Sequence, residues 1–132
     1  MTRNLVGIVL MSHSALLAEG AAELAGQMCA GRAPIAYAGG TDDGHIGTSI
    51  RLLEAAVTAV AGDAGVVIIP DLGSSVLTAR AFLDDADAGL QVVLADAPFV
   101  EGAVAAVVAA AAGLPLAAVL AAAQEARDLT KW

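Results

Sequence analysis

Short uncharged aliphatic runs alternate four times with longer helical patterns along this chain. The strand-like runs occupy residues 5–11, 34–38, 65–69 and 90–95. Helical patterns occupy residues 15–30, 45–61, 74–86, 99–112 and 116–128. This alternation is typical of βαβ units with right-handed crossovers. It predicts an α/β fold: an open, mostly parallel four-stranded sheet with helices on both faces, in one domain over residues 1–132.

Two of the helical patterns carry further expectations. In the second, Ile46, Ile50, Leu53, Val57 and Val60 follow the spacing of one buried helical stripe. Near the C-terminus, residues 102–123 contain no charged side chain and are long enough to span a bilayer. Gly113 and Pro115 interrupt that stretch, and such residues suit a helix end and a helix start. We therefore expect two short helices there and no membrane span.

Composition excludes several classes of protein. The formal net charge is −8 and the isoelectric point is about 4.3, whereas nucleic-acid binders need a basic face. The acidity also disfavours an anionic membrane surface and suits a cytoplasmic protein. Cys29 is the only cysteine, so no intrachain disulfide can form, and we expect it to be buried as an apolar residue.

Polar residues concentrate in the loops that follow the predicted strands. A parallel sheet brings these loops to one rim, where ligands bind in open α/β folds. The loops are Ser12-His13-Ser14, Gly39-Gly40-Thr41-Asp42-Asp43-Gly44, Pro70-Asp71-Leu72-Gly73-Ser74-Ser75 and Asp96-Ala97-Pro98. Each has an ordinary structural explanation as well, since Ser14 and Ser74 are good helix N-caps and paired glycines form turns.

His13 is the residue in these loops with the widest chemistry. At the end of the first strand it could be a phosphoryl carrier, a metal ligand, a general base or a plain loop residue. Phosphoryl transfer needs a neutral ring nitrogen, an acceptor that fixes the tautomer and donors around the phosphate. Asp71 is placed to orient His13, as the carboxylate does in hydrolase triads. The predicted phosphate contacts are Ser14, Gly40, Thr41 and Ser74.

Other chemistries fit the sequence less well. No G-x-S-x-G elbow, Walker A motif or G-x-G-x-x-G fingerprint is present. Zinc needs three or four ligands, and the chain has only two histidines and one cysteine. We therefore expect no metal and no cofactor. The second histidine, His45, is expected to open the second helix as an exposed residue.

Four segments together resemble a known family. They are Leu10-Met11-Ser12-His13-Ser14, Gly40-Thr41-Asp42-Asp43-Gly44-His45-Ile46-Gly47-Thr48-Ser49, Asp71-Leu72-Gly73-Ser74 and Ala97-Pro98-Phe99-Val100-Glu101-Gly102. In this order they resemble the phosphotransfer subunit (DhaM) of the phosphotransferase-system-dependent dihydroxyacetone kinase. The mannose-type enzyme IIA domains are relatives of that family. The similarity covers about residues 5–120.

The resemblance implies a function and a set of partners. His13 would take a phosphoryl group from the carrier protein HPr and pass it to ADP held by a second kinase subunit. A third subunit would bind dihydroxyacetone, and the carrier would form a homodimer. Asp71 would orient His13. Because some members carry fused HPr-like domains and this sequence stops at Trp132, we expect HPr to be a separate protein.

Three positions depart from the family's usual pattern. Pro70 stands where an apolar residue is expected, Ser75 where an alanine is expected and Arg80 where an acidic residue is expected. Arg80 changes the charge of the third helix near the rim, which puts the choice of partner in question.

Other functions remain open. One alternative is a mannose-type enzyme IIA that feeds a sugar permease. Others are a regulator that reports phosphorylation without transferring it and a small-ligand module of flavodoxin-like shape.

Overall fold

The predicted α/β architecture is confirmed in the computed structural model, which describes residues 4–87 and 89–132. Residues 1–3 and 88 of the predicted domain lie outside the described residues. The strands are β1 (Gly7–Ser12), β2 (Ile35–Gly39), β3 (Val66–Pro70) and β4 (Val92–Leu94). They form one sheet in the order β2-β1-β3-β4, and all three strand pairs are parallel.

Helices follow the strands as the sequence predicts. They are α1 (Ala15–Met28), α2 (Ile50–Val60), α3 (Gly73–Asp85), α4 (Phe99–Ala111) and α5 (Leu116–Glu125), with a 3₁₀ turn at Ala126–Asp128. Gly113 has a positive φ of 82° after α4, and Pro115 is the N-cap of α5. In the described part of the chain, no helix has the length and apolar character needed to cross a bilayer.

The two faces of the sheet carry separate apolar cores. Side chains alternate across β1, so that Ile8 and Leu10 pack with residues of α1, α4 and α5. Val9 and Met11 point the other way and pack with α2 and α3. Both central strands are buried on both faces, which explains why their sequences are continuous aliphatic runs.

The order of the strands creates a crevice at the carboxyl ends of β1 and β3. After β1 the chain crosses to β2 on one side, and after β3 it crosses to β4 on the other. Such a reversal leaves an opening between the two strands where ligands bind in open α/β sheets. His13 follows β1 and Asp71 follows β3, so this crevice holds the two principal residues predicted from the sequence.

The predicted start of α2 is wrong. The helix begins at Ile50, not at residue 45, because Ser49 is its N-cap and accepts a hydrogen bond from Leu52 N. Ile46 therefore lies in the preceding loop, 76% exposed, and is not part of the buried stripe. Gly47 in this loop has a φ of 145°, which is incompatible with a helix.

Other boundaries shift by smaller amounts. Ser12 is the last residue of β1 and pairs with Gly39, so it belongs to the sheet and not to the loop. Ser74 is not an N-cap, because α3 begins at Gly73 and Leu72 occupies the cap position. β4 is shorter than predicted, and α5 ends at Glu125. The expectation for Cys29 is confirmed, since it is 6% exposed and its Sγ contacts Gly26 O.

Candidate phosphoryl-transfer site

His13 and Asp71 meet across the crevice as predicted. His13 Nδ1 lies 2.9 Å from Asp71 Oδ1. The side chain of His13 is 20% exposed and that of Asp71 is 8% exposed. An acidic acceptor at this distance places the proton on Nδ1 and leaves the lone pair on Nε2. The pair therefore leaves Nε2 as the ring nitrogen that Asp71 does not engage.

Four donors surround the carboxylate of Asp71. Oδ1 accepts from Leu72 N at 2.7 Å and from His13 Nδ1, and Oδ2 accepts from His13 N at 3.0 Å and from Ser12 Oγ at 2.9 Å. Burial raises the pKa of Asp71, but the hydrogen bonds from His13, Leu72 and Ser12 outweigh it and hold the pKa below its ordinary value of 3.8. Asp71 is thus a carboxylate at neutral pH.

Ser74 lies on the other side of the imidazole. Its Oγ is 2.6 Å from His13 Nε2, so the hydroxyl donates to the lone pair that Asp71 leaves free. Ser74 lies in the first turn of α3, and among the described residues no side chain caps this helix. The first N–H groups of a helix have no acceptor within it and favour anions. A phosphoryl group on Nε2 would meet both the hydroxyl and these amides.

Ser12 supports the carboxylate of Asp71, a contact that the sequence analysis did not predict. It is 1% exposed, and its Oγ donates to Asp71 while accepting from Ser14 N at 3.0 Å. This hydroxyl links the orienting carboxylate to the N-terminus of α1. A serine at the last position of a fully buried strand, next to His13, was the available signal, since buried hydroxyls need partners.

The other predicted phosphate contacts are engaged elsewhere. Ser14 Oγ caps α1 through Leu17 N, and Gly40 N donates to Ser12 O. Thr41 Oγ1 donates to Asp43 Oδ1 and accepts from His45 N. The structure thus brings Asp71 and Ser74 to the ring of His13 and uses these three residues to build the surrounding loops. Their contact with phosphate stays a prediction.

The loop between β2 and α2 is held together by its own side chains. Asp43 lies 3.0 Å from His45 Nδ1, and Asp42 pairs with Arg51 and Ser49. Bonds from Thr41 and His45 lower the pKa of Asp43. His45 is exposed, as predicted, but it lies in this loop five residues before α2 and does not open the helix. Gly47 N donates to His13 O at 2.9 Å, which attaches the loop to the site.

A cleft of about 370 Å³ opens beside Asp71, between α3 and the loop after β4. Arg80 is exposed on its wall, and Pro70 lines it as well, so two of the three residues that depart from the expected pattern border the same cleft as Asp71. In the described part of the chain, no three histidine, cysteine or acidic residues are grouped to hold a metal ion.

The family model described as "PTS system fructose IIA component" matches residues 7–120 of this chain. The chain belongs to this family. The match includes β1 through α4, and so includes His13, Asp71 and Ser74. A crystal structure described as that of a protein of unknown function has the same fold, with a TM-score of 0.83 at 32% identity, covering 100% of this chain and 99% of that one.

Curated members of this enzyme IIA family agree with the resemblance found in the sequence. The phosphoryl donor subunit DhaM of PEP-dependent dihydroxyacetone kinase from Pantoea ananatis is 43% identical over 122 residues, which are 88% of this chain and 26% of that protein. The subunit DhaM of kinase 2 from Listeria innocua is 34% identical over 101 residues, 75% of this chain and 81% of that protein. The chain thus spans about a quarter of the first relative and most of the second.

Proposed function

We propose that this protein is a phosphohistidine carrier in which Nε2 of His13 bears the phosphoryl group. The observation that carries the proposal is the unequal environment of the two ring nitrogens. Nδ1 is held by the carboxylate of Asp71, while Nε2 faces the hydroxyl of Ser74 and the N-terminus of α3. This is the arrangement that a nucleophilic nitrogen and an incoming dianion require.

Acceptance of the phosphoryl group is a displacement between two nitrogens. The bond between phosphorus and a ring nitrogen of the donor's phosphohistidine breaks as the bond between phosphorus and His13 Nε2 forms. The proton on Nδ1 stays in place and continues to be donated to Asp71. The phosphorylated ring is cationic, so the negative charge of Asp71 stabilises the product as well as the tautomer.

Ser74 changes partner during this step. In the free site its hydroxyl donates to Nε2, and rotation about its Cα–Cβ bond redirects that proton to a phosphoryl oxygen once the new bond forms. The free amides at the start of α3 supply further donors. No proton enters or leaves the site during this step. The phosphoryl group can therefore leave for the acceptor by the reverse rearrangement, without a separate proton donor or acceptor.

The donor is proposed to be HPr, and the acceptor to be ADP on a partner subunit of dihydroxyacetone kinase. The names of the relatives, phosphoryl donor subunits of a PEP-dependent dihydroxyacetone kinase, support a place in that kinase system. HPr and ADP are the donor and acceptor that the resemblance implies. In the second step the bond between Nε2 and phosphorus breaks and a terminal phosphate oxygen of ADP takes the phosphoryl group, which forms ATP. Assembly as a homodimer remains part of the proposal.

A sugar-permease enzyme IIA is the second candidate, because the matching family model is described as a sugar component of the phosphotransferase system. The two functions share the chemistry of His13 and differ in the acceptor. Phosphorylated protein mixed with the purified ADP-bound and dihydroxyacetone-bound kinase subunits should yield dihydroxyacetone phosphate. Transfer only to the second enzyme component of a permease would favour the alternative.

The carrier role is tested by incubating the protein with phosphoenolpyruvate, enzyme I and HPr and recording its intact mass. We expect an acid-labile gain of one phosphoryl group that His13→Ala abolishes. His45→Ala is the matched control and should be phosphorylated like the wild type, since, within the described part of the chain, the bonds of His45 stay inside its own loop. Absence of any gain, with a known enzyme IIA phosphorylated in parallel, would overturn the proposal.

A further inference from the structure

The loop between β2 and α2 is attached to both sides of the site. Gly47 N donates to the carbonyl of His13 at 2.9 Å. The next residue, Thr48, reaches across to α3, where its Oγ1 lies 2.7 Å from Thr78 Oγ1. Two consecutive residues of one loop therefore hold the backbone of His13 and the helix to which Ser74 belongs. We call Thr48 and Thr78 the threonine pair.

Thr78 lies on the same face of α3 as Ser74. The two residues are four apart in the helix, and side chains at this spacing lie one above the other. The bond of Thr78 is therefore made one turn away from the hydroxyl that lies 2.6 Å from His13 Nε2. A movement of α3 at Thr78 would change the distance between Ser74 and the ring.

The first half of α3 has little apolar packing to fix its position. Its buried residues are Ser75, Ala79 and Phe82, and the large apolar side chain among them, Phe82, lies in the third turn. Among the described residues, the side-chain hydrogen bonds that join α3 to a distant segment of the chain are those of Ser74 and Thr78. The bond from Ser74 to Nε2 is lost when that nitrogen is phosphorylated, so the bond of Thr78 remains to hold the helix.

We propose that the threonine pair positions Ser74 and the first amides of α3 for phosphoryl transfer at His13. This inference rests on the proposed carrier function. The two hydroxyls bond to each other, so the pair acts through α3 and not by contact with the phosphoryl group. A displacement of about 1 Å in a positioned group can cost up to about 10²-fold in rate. Loss of the bond should therefore slow the chemical step and leave the affinity for the donor unchanged.

The test removes the hydroxyls one at a time. Thr48→Val and Thr78→Val delete the bond, Thr48→Ser keeps a hydroxyl, and the variant with both valines completes a double-mutant cycle. Thr58→Val is the matched control, since Thr58 is exposed near the C-terminal end of α2. Transfer from phosphorylated HPr is measured in single turnovers at varied HPr concentration, which separates the maximal rate constant from the half-saturating concentration.

We expect each valine variant to lower the maximal rate constant about tenfold, with the half-saturating concentration of HPr within about twofold of wild type. The double variant should be no slower than either single variant, and Thr48→Ser and Thr58→Val should match wild type. Wild-type rates in both valine variants would overturn the proposal. Losses that multiply in the double variant, or equal slowing in Thr48→Ser, would overturn it as well.

A small donor separates positioning from docking. Potassium phosphoramidate transfers its phosphoryl group as its N–P bond breaks and the bond to Nε2 forms, with release of ammonia. The valine variants should lose about the same factor with this donor as with HPr, because the pair acts on the reacting group. Slowing that occurs with HPr alone would overturn the proposal.

A second readout follows Ser74 without any phosphoryl donor. The ¹⁵N resonance of Nε2 in the neutral, unphosphorylated ring depends on the hydrogen bond that its lone pair accepts. We expect this resonance in Thr48→Val to move from its wild-type position toward that of Ser74→Ala. Slowed transfer with an unmoved resonance would overturn the proposal. Wild-type protein that neither donor phosphorylates would refute the carrier function, while the resonance would still decide whether the pair positions Ser74.

Discussion

Asp71 engages one of the two ring nitrogens of His13 and leaves the other free of a carboxylate. Its Oδ1 is 2.9 Å from Nδ1, and its other bonds come from the backbone N–H groups of His13 and Leu72 and from the hydroxyl of Ser12. The carboxylate is thus fixed from both adjoining strands before it meets the ring. Such a support holds the imidazole in one orientation, as the proposed carrier function requires.

Asp71→Asn is expected to slow phosphorylation of His13 by about 10²-fold without abolishing it, because the nucleophile remains while its tautomer and the charge opposite the ring are lost. The rate is measured by quenched-flow with HPr as donor. Asp63→Asn, an exposed carboxylate in a turn away from the site, serves as control. An unchanged rate in Asp71→Asn would show that another group orients the ring.

The lowered pKa of Asp71 also predicts how stability depends on pH. Its hydrogen bonds outweigh the effect of burial, so the folded pKa lies below the ordinary value of 3.8. Asp71 therefore stabilises the fold fully above 3.8, and this contribution is lost as the pH falls through the lower folded pKa. The difference in the free energy of unfolding between wild type and Asp71→Asn should be constant above about pH 5 and shrink below 3.8. Denaturant unfolding across pH would contradict this if the difference grew on acidification.

At the residue scale the sequence predicted that His13 and Asp71 lie together, but not all of the contacts that support them. His13 and Asp71 were placed correctly because they directly follow two buried strands. Ser74 was predicted as a phosphate contact, and its bond to Nε2 depends on α3 beginning at Gly73. The role of Ser12 depends on which way its side chain points from the end of β1, and a hydrophobic pattern does not specify this for a polar residue.

Close packing between β2 and α1 sets the position of the site at the scale of elements. A Cβ built on Gly39 would lie 2.7 Å from Ala15 Cα and from Ser14 O, and 2.9 Å from Ala18 Cβ. Two of these atoms belong to the backbone and cannot rotate away. The absence of a side chain at Gly39 therefore lets the N-terminus of α1 lie directly against the strand next to His13.

Gly39→Ala is expected to lower the free energy of unfolding by about 1–3 kcal/mol, because α1 must move to relieve the contact. Gly20→Ala on the exposed face of α1 is the control, since a Cβ there meets nothing within 4 Å. That change should stabilise the protein by about 0.5–1 kcal/mol. Equal stability of Gly39→Ala and wild type in urea unfolding would contradict the packing argument.

The start of α2 shows that apolar spacing alone does not predict where a helix begins. The stripe of α2 was correct from Leu53 to Val60, because those side chains pack on the sheet. The predicted stripe wrongly included Ile46, because apolar spacing does not distinguish an exposed isoleucine from a buried one. The local signal against it was Ser49 as N-cap together with Gly47 in the preceding loop.

The whole molecule is acidic. Its formal charge of −8 and the exposed carboxylates of Asp42 and Asp43 predict electrostatic attraction to a basic donor. The fold at this scale could be predicted almost completely, since alternating strands and helices with aliphatic central runs leave few parallel arrangements. Oligomeric state could not be predicted from the pattern, because it depends on surface complementarity between copies.

Salt should slow transfer from HPr but not from phosphoramidate. Raising the ionic strength from about 0.05 to 0.5 M shortens the Debye length to a few ångströms and should lower the second-order rate constant severalfold. Stopped-flow measurement at several salt concentrations checks this. A rate constant for HPr that does not change with salt would remove the electrostatic part of the account.

The central claim is that phosphate resides on Nε2 of His13, and ¹H–¹⁵N NMR of the imidazole in the phosphorylated protein tests it most directly. Couplings to the ring protons distinguish the two nitrogens. The account predicts a phosphorylated Nε2 and a protonated Nδ1 that still donates to Asp71. Phosphate on Nδ1, or on any residue other than His13, would contradict it.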